Sequence, residues 1–168
     1  SDTIDLLGMM VTDGSEDDVI ASFGGGTTLL APGSYAVIVD SEYAGEYGIP
    51  ADAIIVTLSN SNLGNGLSVK DEVTLFDTDD ESLVDAMVYP FNPGNGLSIE
   101  RIAMSGVIDS ASNWVASTCG SGSSPGADNC VSSGSSGATE SLYDLVFTEI
   151  MSNPLDENTG EFVEIYNN

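Results

Sequence analysis

Histidine is absent from this 168-residue chain and basic side chains are nearly so: Lys70 and Arg101 stand against 27 acidic residues, a formal net charge of −25 at pH 7. Without histidine, the Ser–His–Asp and Cys–His arrangements of nucleophilic catalysis have no base, and the usual zinc and copper ligand sets cannot be assembled. Two basic residues also exclude nucleic acid or an anionic membrane as the main partner, because phosphate binding needs clustered Lys and Arg. No apolar run approaches the roughly 20 residues that cross a bilayer, which argues against membrane insertion. Cysteine is limited to Cys119 and Cys130, and the two are not a CxxC pair. The chain opens on Ser1 with neither an initiator Met nor a signal segment, which suggests a processed or excised piece.

Hydrophobic residues make up 41% of the chain, enough for a core despite the charge. The length suggests one domain with an extra arm. Acidity of this degree reads as solubility at high ionic strength, where screening already acts within about 8 Å at physiological salt; the sharper reading is divalent-cation binding. Short runs of period-two alternation recur between Gly, Pro, Asn and Asp: "TIDLLGMMVTDG", "TTLLAPGSYAVIVDS", "AIIVTLS", "DEVTLFDTDD", "SLVDAMVYPF", "GLSIERIA" and "NWVAST". That pattern predicts an all-β sandwich of two packed sheets. "DESLVDAMVY" has the best helical spacing, yet Val84, Met87, Val88 and Tyr89 fit a strand equally well.

Residues 1–130 form the expected sandwich body, 131–142 a Gly/Ser-rich linker, and 143–168 a C-terminal strand arm. A disulfide between Cys119 and Cys130, closing the loop "TCGSGSSPGADNC", is the simplest account of the cysteines. It would contribute roughly 2–3 kcal/mol and points to an extracellular or cell-surface setting. Two free thiols in a cytosolic loop is the competing reading. The linker Ser and Thr residues are candidate O-linked glycan sites. In the arm, Leu145 and Phe147 alternate against Val146, Thr148 and Ile150, and "GEFVEIYNN" follows a turn. Burying Val146, Phe147, Ile150, Phe162, Val163, Ile165 and Tyr166 would contribute about 1.5–3 kcal/mol for each large apolar side chain. Left exposed, these strands would be an aggregation edge, and an isolated hairpin is marginal in water.

"VFTEIMSNPLDENTGEFVEIYNN" resembles the opening strands of the lamin tail domain family, whose first strands read like I-x-E-I-x-x-N-P and then G-E-F-V-E-I/L-Y-N. The family's next segment is similar to "DTIDLLGMMVTDG", with which this chain begins, and the later blocks "TTLLAPGSYAVIVDS", "GNGLSVKDEVTLFDTDD", "GNGLSIERI" and "NWVAST" also fit. The resemblance covers nearly the whole chain in permuted order. Met9 departs from it, standing where the family usually has Trp, and the cysteine loop is an elaboration. The resemblance implies an immunoglobulin-like β-sandwich whose first strands are carried at the C-terminus, donated or permuted. It implies little about activity.

Three geometries satisfy the permuted order. The arm folds back into its own body; it enters the next copy, as in donor-strand complementation; or the copies are covalent tandem repeats. The segment 131–140 could span about 30 Å at full stretch, so its length does not decide among them. Joining Asn168 to Ser1 continues the family-like run without a gap, and no segment follows the last strand to cover it, which favours pairing between copies. Head-to-tail donation does not close on itself, so it makes a fibre of copies of this chain. The expectation is therefore a structural, non-enzymatic subunit or repeat of an extracellular filament. The alternative is a monomeric binding or calcium-dependent adhesion module of a larger secreted protein. Calcium is the one cofactor suggested: Asp13, Ser15 and Asp17 alternate in "DGSEDD", as do Asp77, Asp79 and Glu81 in "DTDDE", and alternating oxygens suit a hard cation. Neither loop has the glycine and glutamate that an EF-hand needs, and each also reads as an ordinary solvated turn.

Overall fold

The computed structural model describes residues 2–77, 82–104, 110–131 and 144–168. Among them are twelve strands and one short 3-10 turn, with no α-helix. The strands are β1 (Ile4–Asp5), β2 (Met10–Thr12), β3 (Asp17–Ser22), β4 (Leu29–Leu30), β5 (Tyr35–Val39), β6 (Ile54–Leu58), β7 (Glu72–Phe76), β8 (Leu83–Val88), β9 (Ile99–Arg101), β10 (Trp114–Ala116), β11 (Leu145–Met151) and β12 (Phe162–Asn167). The ambiguous segment "DESLVDAMVY" is thus a strand in its described part. Its partner β7 is rich in β-branched and aromatic residues, and pairing with β7 satisfies backbone groups that a lone helical turn would leave to water.

β1 and β4 form a two-stranded sheet. The other ten strands are hydrogen-bonded in the order β10-β9-β11-β12-β5-β6-β3-β2-β7-β8. That sheet curls on itself, because β8 at one end packs across β11 near the other: the Asp85 carboxylate of β8 accepts the Phe147 N–H of β11 at 2.8 Å. The result is an all-β, sandwich-like fold with its main core between the two halves. Among the described pairs only β5 and β6 run parallel. Parallel neighbours need a long crossover, and residues 40–53 supply it, passing over the outer face of the sheet. Tyr47 of this crossover packs edge-on against Phe162, with ring centroids 5.0 Å apart.

The C-terminal hairpin β11–β12 is an interior part of the sheet of its own chain: β11 pairs with β9 and β12 with β5. Of the three geometries open from sequence, the single chain adopts the folded-back one, and its body is not left with an empty groove. Strict alternation fails at one point. Between Phe147 and Glu149 the register slips, so Thr148 is a bulged extra residue and both Thr148 and Glu149 face outward. Phe147 and Ile150 therefore share the inner face, whereas alternation places them on opposite ones. The bulge frees the Phe147 N–H from the ladder, and Asp85 takes it.

Two apolar clusters lie on opposite faces. The inner one includes Leu6, Ile38, Leu75, Met87, Trp114, Phe147, Ile150, Val163 and Ile165, and the outer one Val37, Val39, Met151 and Phe162 under Phe23, Tyr43 and Tyr47. Phe162 thus does not share a groove with Phe147, Ile150 and Ile165; it faces the crossover. Phe147→Ala, which removes a fully buried ring, should cost about 3–5 kcal/mol in denaturant unfolding. Leu155→Ala, in the hairpin turn and 83% exposed, should stay within about 0.5 kcal/mol.

Candidate functional site

Each arm residue singled out in the sequence is placed by β11 and β12. Phe147, Ile150, Val163 and Ile165 point into the main core; Val146 is buried; Tyr166 is half-buried and lies against Tyr35 with centroids 4.8 Å apart. Asn167, the last residue of β12, faces inward, and its carboxamide donates to the carbonyls of Leu30 and Asp2, each at 2.9 Å. The end of the hairpin therefore lies beside the beginning of β1.

The outer face of the hairpin carries what the apolar pattern concealed. Glu100 of β9, Glu149 of β11 and Glu164 of β12 are direct cross-strand neighbours, each with no exposed surface. Three carboxylates in a row are mutually repulsive and costly to bury. Loop 117–131 covers and satisfies them. Ser124 N–H donates to both oxygens of Glu149 (2.9 and 3.1 Å), Gly126 N–H to Glu164 (2.5 Å), and Val131 N–H to Glu100 (3.0 Å). The hydroxyls of Ser117, Ser98 and Thr148 donate to Glu100, Glu149 and Glu164, each at 2.5 Å. Asn129 adds side-chain bonds to the carbonyls of Arg101 and Thr148. Gly126, at φ +83°, meets the crossover so closely that a Cβ there would press on Ile49, Pro50 and Ala53 at 2.9 Å. The loop is closed by the Cys119–Cys130 disulfide, with Cα atoms 5.5 Å apart. Glu100 and the two sulfurs lie within one ligand's reach of each other, but the sulfurs are joined to one another and so are not free to bind a metal.

A second loop is held in the same manner. The N–H groups of Leu63, Gly64, Asn65 and Leu67 donate to Asp40, Asp18, Asp13 and Glu161 respectively, at 2.6–3.1 Å. Asp13 is therefore a loop anchor: one oxygen accepts the Ser15 N–H, the Ser15 hydroxyl and the Glu16 N–H, and the other accepts Asn65. A cation at Asp13 would have to displace those bonds. Ser15 and Asp17 are exposed. Asp77 follows β7, its N–H donating to the Ser82 carbonyl at 3.0 Å, while Asp79 and Glu81 lie outside the described residues. Among the described residues, Asp13 follows the Thr12–Thr74 end of the β2–β7 pair and Asp77 follows its Met10–Phe76 end.

No family model, curated protein or solved structure matches this chain. The geometry must speak for itself. Glu149 and Glu164 escaped sequence reasoning, although a signal was present: a lone acidic residue inside each apolar strand, "FTEIM" and "FVEIY". Burial pushes the Glu149 carboxyl up to about 7, the Glu161 carboxyl up to about 8 and the Asp40 carboxyl up to about 6. Burial, reinforced by the Glu149 charge, pushes Glu164 well above the ordinary range. A carboxyl with a raised folded-state pKa binds more protons folded than unfolded, so stability falls as pH rises from the ordinary value through the raised one. Asp5 is held low by the bonds it accepts from Thr28 and Leu7, and Asp13, which burial pushes up, is brought below the ordinary value by its several hydrogen bonds together; both act in the opposite sense only below the ordinary carboxylate range. The melting temperature should therefore fall between about pH 5 and pH 8. Glu149→Gln and Glu164→Gln should each flatten that slope, as read by calorimetry.

Proposed function

We propose that this chain is a non-enzymatic structural module of an extracellular filament, and that copies assemble head-to-tail by exchanging the C-terminal hairpin. One observation carries the reading. The hairpin is inserted between β9 and β5 and buried on both faces, yet the segment that joins it to the body, after Val131, is long and Gly/Ser-rich. Every contact that seats it is non-covalent, so a sibling's hairpin can make the same contacts in the same seat. Exchange of this kind is heterologous and propagates. The position of Asn167 beside Asp2 supports the lamin-tail-like order of strands, in which the hairpin precedes β1.

The absence of histidine supports a non-catalytic role, as does the chemistry of the one arginine: Arg101 is buried, paired with Asp85 at 2.7 Å and set over the Trp114 ring. The disulfide supports an oxidising compartment. A second reading, a monomeric module, is favoured by the hairpin's filling its own chain's groove.

Deleting 132–143, so that Val131 joins Asp144 directly, separates the two: Val131 bonds to Glu100, which pairs with Glu149, five residues beyond Asp144, and a single peptide bond does not cover that span. If the hairpin is exchangeable, it then seats in a neighbour, and light scattering and negative-stain microscopy should show open-ended oligomers. A shortened chain that remains a folded monomer would reject exchange. Because each subunit carries −25, lateral bundling of filaments should rise with salt or calcium as charge is screened. Turbidity insensitive to ionic strength would contradict this.

A further inference from the structure

The disulfide-closed loop stands in an unusual relation to the hairpin. It leaves β10 at the sheet edge and runs back over β9, β11 and β12, so it straps the hairpin strands to a body strand. Glu100 belongs to the body, whereas Glu149 and Glu164 belong to the hairpin, and Ser124 touches both: its hydroxyl lies 3.2 Å from Glu100 and from Glu149. Tyr35 of the body reaches the same loop, donating to Asp128 at 2.8 Å. The hairpin cannot leave while this strap is down, because each of its two buried glutamates would lose the loop N–H groups that satisfy it. The other cover, the crossover, is the β5–β6 connection and touches the hairpin through Tyr47, which packs on Phe162 and donates to the Gly160 carbonyl.

We infer that loop 117–131 is a latch that locks a seated hairpin, and that thiol–disulfide exchange at Cys119–Cys130 governs its release. The inference rests on the exchange reading above and deepens it. The loop sequence is mostly Gly, Ser, Pro and Asn, with little intrinsic order, so the cross-link restrains the alternatives to the closed form. Cys130 is exposed and Cys119 half-buried, so a soluble thiolate can reach the bond. A dithiol reductant supplies the balance. One thiolate attacks the Cys130 sulfur, and Cys119 leaves with the electron pair and takes up a proton. The second thiol of the reductant then resolves the mixed disulfide, leaving Cys130 as a thiol and the reagent as a cyclic disulfide. The Cys119 sulfur lies 3.7 Å from Glu100 Oε1; that carboxylate disfavours a thiolate beside it and accepts the new S–H. Re-oxidation over a seated hairpin, from either chain, restores the lock.

The test is hydrogen exchange by mass spectrometry on the full chain, oxidised and then treated with dithiothreitol, alongside the Cys119→Ser/Cys130→Ser variant. Reduction should speed exchange of the β11 and β12 amides by up to about a hundredfold, the loop-closure equivalent of the cross-link. Amides of β6 and β7 should be unchanged. Hairpin protection that survives reduction, or that falls only in step with β6 and β7, would overturn the latch. The reagent arm keeps the test decisive if the variant fails to fold. Uptake of a tagged sibling hairpin, measured in parallel, separates the two ideas. A reduced chain that opens its hairpin yet never takes up a sibling's supports the latch and rejects the filament reading. Equal uptake by oxidised and reduced chains rejects the latch and leaves that reading standing.

Discussion

A carboxylate accepting backbone N–H groups is the interaction on which this fold rests. Among the described residues eight acidic side chains are buried: Asp13, Asp18, Asp40, Asp85, Glu100, Glu149, Glu161 and Glu164. Arg101 is the only buried cation among the described residues, and Lys70 is exposed. Burying a carboxylate without a partner is prohibitive, and so is burying a loop whose N–H groups have none. In this chain each deficit offsets part of the other. Loops 63–67 and 117–131 lie on the sheets because their amides find acids there, and the acids are tolerated because the loops cover them. A composition nearly free of lysine and arginine leaves few alternatives for satisfying buried acids.

The same interaction explains why a strand pair near the end of the chain is apolar on its inner face and carries single glutamates on its outer one. β11 and β12 sit between β9 and β5 with a core beneath and two covers above. Central strands of this kind ordinarily read as continuous apolar runs. The two glutamates interrupt the run because their partners are loop amides. That arrangement makes the covers specific for this hairpin: an apolar strand of similar volume would leave the N–H groups of Ser124 and Gly126 unsatisfied. Complementarity between seat and hairpin is thus polar on one face and apolar on the other.

Much of the fold was legible from residue order. Alternation and turn residues marked the strands, and the Cys119–Cys130 pairing followed from a Gly/Ser/Pro loop with two cysteines. The hairpin's inner anchors Phe147, Ile150, Val163 and Ile165 were also recognisable as buried. What alternation could not anticipate is the bulge at Thr148, where Asp85, a residue 62 positions away, accepts the freed Phe147 N–H. Nor could it place Phe162 on the face opposite Phe147, since the crossover that covers it has no periodic signature. The acidic loops looked like solvated turns or cation sites, and alternation could not show that Asp13 is buried and accepts loop N–H groups and the Ser15 hydroxyl.

By itself, the sequence determined the class of structure and the chemistry denied to it: strands without helices, no histidine base, no basic surface, and a tethered hairpin that must be buried somewhere. Only the tertiary structure decided where the charge goes. Whether an acid in a strand faces water or a loop amide depends on contacts such as Gly126 to Glu164 and Tyr47 to Gly160. Period two assigns sides within one strand, but register and covering are settled between segments far apart in the chain.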